Sequence, residues 1–177
     1  MRKLANSELN RLTPDSFKKA EKIPLIIILD NIRSQHNIGA VFRTSDAFLV
    51  EAIYLCGITA TPPNVEIHKS ALGAENSVAW KYFIKTAEAV TELKEKNYLI
   101  IAIEQAEDSL SLRDFKPQKD LKLAIIFGNE VKGIDQEIVD LCNECIEIPQ
   151  YGTKHSLNIS IAAGIVIWEI FNKLRQF

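Results

Sequence analysis

The sequence predicts one α/β domain built on a mostly parallel sheet with helices on both faces. Three observations carry this. Short apolar, β-branched runs recur along the chain, helix-like patterns lie between them, and glycine and proline are too few for a loop-dominated chain (7 and 6 of 177 residues). The apolar share of 47% and charged share of 25% are ordinary for a globular protein, which excludes disordered, collagen-like and mucin-like chains.

Thr13-Pro14-Asp15 reads as a helix N-cap followed by proline at the first helical position, with the helix running toward Glu21. An earlier helical turn can begin at Asn6 or Ser7. Pro24 to Asp30 encloses five consecutive aliphatic residues, the pattern of a strand covered on both faces. Further strands are expected at Ala52 to Cys56, Tyr98 to Ile103, Leu121 to Phe127 and Cys145 to Ile148, with a weaker one at Val78 to Phe83. Helices are expected at Ile38 to Phe48, Val65 to Leu72, Thr86 to Glu95 and Asp135 to Cys142. The longest, Ser156 to Leu174, repeats apolar residues at 157, 161, 165, 168 and 171.

Composition also narrows function. Apolar runs such as Leu25 to Leu29 fall far short of the ~20 residues that span a bilayer, so no membrane association is expected. The first residues are polar and resemble no secretory signal, and the three cysteines (Cys56, Cys142, Cys145) are an odd count; both point to reduced thiols and a cytoplasmic location. A net charge of −2 argues against an indiscriminate nucleic-acid coat. Residues 1–22 nevertheless hold six Lys/Arg against three Asp/Glu, and the rest of the chain fifteen against twenty. Residues 1–22 are therefore read as a basic N-terminal extension of a domain covering 23–177. Such an arm suits an anionic partner or a merely solvated helix.

Several chemistries lack their fingerprints. Cys142 and Cys145 form one C-x-x-C pair, half a tetrahedral zinc site, and the three histidines have no paired spacing, so no metal is expected. There is no Walker-A lysine motif, no G-x-G-x-x-G and no G-x-S-x-G elbow.

Ligands of open parallel sheets bind where loops leave the carboxyl ends of strands. Three polar loops stand at such ends: Asp30 to Arg43, Gly128 to Gly133 and Pro149 to Asn158. Within them lie Asn37-Ile-Gly-Ala-Val-Phe-Arg-Thr44, Phe127-Gly-Asn-Glu-Val-Lys-Gly133, and Ile148-Pro149 followed by Ser156-Leu-Asn-Ile-Ser-Ile-Ala-Ala163. Together these resemble the three motifs of the SpoU/TrmH family of RNA ribose 2′-O-methyltransferases, within the SPOUT superfamily. The resemblance runs from about residue 23 to about residue 172.

The resemblance implies an S-adenosylmethionine-dependent enzyme that methylates a ribose 2′-hydroxyl of tRNA or rRNA. That reaction is an in-line displacement, so a site must hold the sulfonium donor, aim the hydroxyl and assist departure of its proton. Gly128, Ile148 and Leu157 match the cofactor-binding positions, with Glu104 and Gln105 expected as further wall. Read from sequence alone, Ile148 is equally a strand end and Leu157 a helix-core residue. Arg43 matches the arginine that acts on the 2′-hydroxyl or the adjacent phosphate. Because arginine stays protonated, phosphate clamping and oxyanion stabilisation rank above proton abstraction. A plain salt bridge to Asp46 or Glu130 is the other reading of Arg43.

Asn37, Glu130, Ser156 and Asn158 match the remaining active-site positions, although Asn37 and Ser156 could equally be helix caps. RNA contacts are expected from the arm and from Arg33, His36, Lys132, Lys154 and His155. The resemblance further implies a C-terminal deep trefoil knot and a homodimer paired through the long C-terminal helix. Other readings of the same fold are an RNA-binding module without catalysis and a methyltransferase for a small molecule or protein.

Overall fold

The buried run Leu25 to Leu29 becomes the centre of a seven-stranded sheet in the structure, a computed structural model that describes residues 1–118 and 120–175. Residues 119, 176 and 177 of the expected domain lie outside the described part. In chain order the elements are α1 (Pro14–Lys19), β1 (Ile23–Asp30), α2 (Gln35–Ala47), β2 (Val50–Cys56), α3 (Val65–Ala71), β3 (Ala79–Phe83), α4 (Thr86–Glu95), β4 (Leu99–Ile103), β5 (Leu110–Ser111), β6 (Leu123–Phe127), α5 (Gln136–Val139), β7 (Glu144–Glu147) and α6 (Ile159–Arg175). The strand order is β3-β2-β1-β6-β4-β7-β5, and every pairing is parallel.

Alternation along β1 builds a core on each side of the sheet. Leu25, Ile27 and Leu29 pack with Val41 and Phe42 of α2 and Val166, Ile167 and Ile170 of α6. Ile26 and Ile28 face the opposite layer, where Ala89, Val90 and Leu93 of α4 cover them. The chain moves from β1 outward through β2 and β3, and the later strands lie on the other side of β1. That reversal leaves a crevice at the carboxyl ends of β1 and β6, where an open parallel sheet binds ligands.

Element ends differ from the sequence pattern for local reasons. Helix α2 starts at Gln35 rather than Ile38 because the Ser34 hydroxyl accepts the Asn37 N–H (3.2 Å) and caps it there. Helix α6 starts at Ile159 rather than Ser156: Asn158 Oδ1 accepts from the Ser160 N–H (2.9 Å) and hydroxyl (2.6 Å), so Asn158 fills the cap position. Helix α5 is four residues long instead of reaching Cys142. Asn143 draws the chain back to the sheet, its N–H donating to Ile100 O (2.8 Å) and its Oδ1 accepting the Ile100 N–H (2.9 Å). Strand β5, two residues long, is too short to show alternation.

The segment expected as a basic extension packs against the core. Thr13 caps α1 as expected, and Phe17 is buried in the same core cluster as β1 and α6. Among the described residues no helix is long and apolar enough to cross a membrane.

The end of α6 is tied to the segment that follows β5. Lys173 Nζ donates to the carbonyls of Leu112 (2.7 Å), Arg113 (3.0 Å) and Phe115 (2.7 Å) and pairs with Glu169 at 3.1 Å. Replacing Lys173 by Ala strands three carbonyls and should lower unfolding stability by about 2 kcal/mol. A urea melt checks this; an unchanged midpoint would mean that water satisfies those carbonyls equally well.

Candidate active site

Three loops close on one another at the carboxyl ends of β1, β6 and β7, and one side chain joins them. Asn37, in the first turn of α2 and 7% exposed, donates through Nδ2 to Glu130 Oε1 (3.2 Å) in the β6–α5 loop. Its Oδ1 accepts from Asn158 Nδ2 (3.3 Å) at the start of α6. Two further bonds brace this junction. Asn129 Nδ2 donates to Asn31 O (2.8 Å), and Gln105 Nε2 to His155 O (2.8 Å).

Beside the junction, between the ends of β4, β6 and β7, lies a cavity of about 460 Å³, a size suited to a cofactor or small ligand. Glu104, Gln105, Gly128, Ile148 and Leu157, the five residues expected to meet a cofactor, all line it. Ile148 also packs on the core. Leu157 is not a helix-core residue: it precedes α6, is 37% exposed and presents its side chain to the cavity.

The wall formed by residues 128–134 is drawn tight. Asn129 and Gly133 exchange backbone hydrogen bonds (3.0 and 2.8 Å), and Gly133 adopts φ +70°, a left-handed conformation that favours glycine. The Glu104 carboxylate braces the same turn, accepting from the Ile134 N–H (3.2 Å) and the Gln105 N–H (3.0 Å). Asn129 holds it from inside, its Oδ1 accepting from Val131 N (2.9 Å) and Lys132 N (3.3 Å). Sequence reasoning passed over Asn129; its one signal was an amide directly after a buried strand.

Of the expected active-site residues, Glu130 and Ser156 line the cavity, and Asn37 and Asn158 reach it through the bonds just described. Arg43 stands apart. It is exposed on α2, lines neither cavity and makes no ion pair among the described residues, so the salt bridge to Asp46 or Glu130 does not form. Of the expected RNA contacts, Lys132 and His155 line the large cavity, while Arg33 joins Lys132 around a smaller one of about 200 Å³. His36 and Lys154 are exposed outside both.

The C-x-x-C thiols are separately engaged. Cys142 Sγ donates to Ile138 O (3.2 Å) and Cys145 Sγ to Glu104 O (3.5 Å), and burial pushes Cys142 up to about 11. These thiols stay protonated at neutral pH. No group of three or more His, Cys, Asp or Glu side chains among the described residues could hold a metal ion.

Residues 24–168, most of the chain and all three loops, match the sequence model of the SpoU rRNA Methylase family. The chain belongs to this family. It is 31% identical over 161 residues to a TrmH family tRNA/rRNA methyltransferase of Staphylococcus haemolyticus, covering 91% of this chain and 64% of that protein. With the corresponding protein of Staphylococcus aureus it shares 30% over 156 residues, covering 88% and 62%. The chain thus spans a little under two thirds of the length of these SpoU-family relatives. The A. aeolicus TrmH/SpoU tRNA modifying enzyme superposes with a TM-score of 0.79 at 27% identity, covering 90% of this chain and 79% of that one. An AdoMet-bound rRNA methyltransferase from Sinorhizobium meliloti shares the fold with a TM-score of 0.80 at 24% identity, covering 94% and 62%.

The three-loop junction predicts a measurable cost. Asn37→Asp removes the amide hydrogen bond to Glu130 and sets two carboxylates together, so it should destabilise more than Asn37→Ala, for which about 1–3 kcal/mol is expected. Urea denaturation at pH 7 and pH 4 checks both. The Asp variant should regain stability at the lower pH as the introduced carboxyl takes up a proton.

Proposed function

We propose that this chain is an S-adenosylmethionine-dependent methyltransferase acting on the ribose 2′-hydroxyl of tRNA or rRNA. The observation that carries the reading is the Asn37 junction: residues of all three family motifs, 93 and 121 positions apart, bond to one another at the rim of one cavity.

The cavity fits the cofactor. Gly128 and Gly133 let the wall close on itself and on Glu104 where any Cβ would collide, and Ile148, Leu157 and Ile134 offer an apolar slot for an adenine ring beside polar backbone groups. When bound there, the cofactor supplies a sulfonium methyl group open to displacement. The carboxylates of Glu104 and Glu130 lend negative charge to a site that takes a cationic donor. Lys132, His155 and Arg33 present cations and donors to the RNA backbone near the two cavities. Arg43 acts on the ribose and its adjacent phosphate, holding the phosphate and stabilising the developing oxyanion.

Arg43 lies outside the cavity of its own chain, and the reading supplies a second subunit to bring it there. Helix α6 exposes Ile161, Ile165 and Trp168 on one stripe, with the Trp168 ring against Phe48 of α2 at 5.4 Å. A second copy seated on the α2–α6 face would bury that stripe and carry its Arg43 toward the first copy's cavity. The trefoil knot, which rests on the family resemblance, and the cytoplasmic location belong to the same proposal.

The experiment is incubation of the purified chain with methyl-labelled cofactor and total RNA, followed by digestion and mass spectrometry of the labelled nucleosides. Label on ribose is the expected result. Label on bases, or cofactor binding without any transfer, would overturn the assignment.

A further inference from the structure

The smaller cavity contains none of the five residues expected to meet the cofactor, yet it shares a wall with the larger one through Asn129, Lys132 and Gly133. It opens at the carboxyl end of β1 and is faced by two carboxylates, Asp30 and Asp135. Asp30 is 2% exposed. Both of its hydrogen bonds, from the Thr86 hydroxyl and from Asn31 Nδ2 (2.8 Å), fall on Oδ1; Oδ2 accepts none among the described residues. The Asp135 carboxylate has no hydrogen bond or ion pair among them either. Asp30 Oδ2 is therefore an acceptor open to the cavity, free to take a donor from whatever enters it. Burial and the neighbouring Asp135 charge both push the Asp30 carboxyl above its ordinary range.

The remaining walls narrow the occupant. Ile58, 61% exposed, offers an apolar surface to the face of a planar ring. Arg33 and Lys132 stand at the same cavity with exposed cationic side chains, placed for a phosphate. About 200 Å³ admits a group no larger than one base. An exocyclic amino group carries two hydrogens on one nitrogen, one for each carboxylate. Uracil presents a single N–H between two carbonyl oxygens, and those oxygens would face the carboxylates.

We propose that this cavity receives an amino-bearing nucleobase of the RNA, at or beside the methylated nucleotide, with Asp30 Oδ2 and Asp135 accepting its amino hydrogens. The proposal rests on the RNA-methyltransferase reading above and adds to it the base that the site selects. Asp30 and Asp135 become specificity-determining residues, and uridine becomes the nucleotide the pocket rejects.

Calorimetry of the full chain with 5′-GMP, 5′-AMP, 5′-CMP and 5′-UMP, in the presence of S-adenosylhomocysteine, tests it. At least one amino-bearing nucleotide should bind about tenfold more tightly than UMP. Asp135→Asn, an exposed substitution that leaves the core intact, should reduce that preference to within about twofold, and Asp30→Asn should do the same. Arg33→Ala should weaken all four alike. Equal binding of the four, no binding up to roughly 10 mM, an undiminished preference in Asp135→Asn, or Mg²⁺ binding lost in that variant would each overturn the proposal. Methyl transfer to total RNA is measured on the same preparation. Ribose label without nucleotide preference overturns the pocket alone, whereas preference without any label overturns the methyltransferase reading.

Discussion

Arg43→Ala should lose about 100-fold or more in methyl-transfer turnover while cofactor affinity stays within about twofold and the urea midpoint does not move. The three readouts separate because of where Arg43 sits. It is exposed, it forms no ion pair among the described residues, and it does not line the cavity proposed for the cofactor. Removing it therefore leaves no buried group unsatisfied and no cofactor contact missing. On the reading proposed above, this guanidinium is available to a phosphate and to the oxygen losing its proton, where it would act as a fork of donors. Arg43→Lys should restore only part of the rate, since an ammonium keeps the charge but not the paired geometry. Mixing Arg43→Ala protein with a variant whose own cavity is disabled tests the route across subunits. Recovery of turnover in the mixed dimer is expected if Arg43 serves the partner's cavity, and none if each chain works alone.

The sequence made the layers of the fold readable because burial on both faces leaves continuous apolar strings such as Leu25 to Leu29 and Leu123 to Phe127. Ends were less readable, because they depend on single caps. Ser34 and Asn158 move two helix starts by three residues each, and no periodicity registers that. The site divides in the same way. Of the five residues expected to meet a cofactor, Glu104, Gln105, Gly128 and Ile148 follow strand ends, and all five fall on one cavity. The role of Asn37 could not be read from spacing, since its partners lie 93 and 121 residues away and only the sheet order brings them together. Arg43 shows the opposite limit. Val41 and Phe42 precede it directly in sequence, yet the helix turns them inward and leaves Arg43 in solvent.

Gly128→Ala should weaken binding of the proposed cofactor by about 100-fold, or roughly 2.7 kcal/mol. A Cβ at position 128 would stand 2.3 Å from the carbonyl carbon of Gly133, and 2.5 Å from both Gly133 O and Ile134 N. All three are backbone atoms, so no side chain can swing aside. The turn must open by an ångström or more to reach ordinary van der Waals contact. Opening it breaks the paired bonds between Asn129 and Gly133 and pulls the Ile134 N–H from the Glu104 carboxylate. Those interactions shape one wall of the cavity, so the damage falls on cofactor affinity before it falls on the core, where about 1–3 kcal/mol of destabilisation is expected. Gly152→Ala is the matched control: a Cβ there meets nothing within 4 Å, and both affinity and stability should stay as they are. Calorimetry with S-adenosylhomocysteine on the two variants decides the matter. Equal affinity in Gly128→Ala and Gly152→Ala would mean that the cofactor does not depend on the close approach of residues 128 and 133, and the cavity would lose its claim to be the cofactor site.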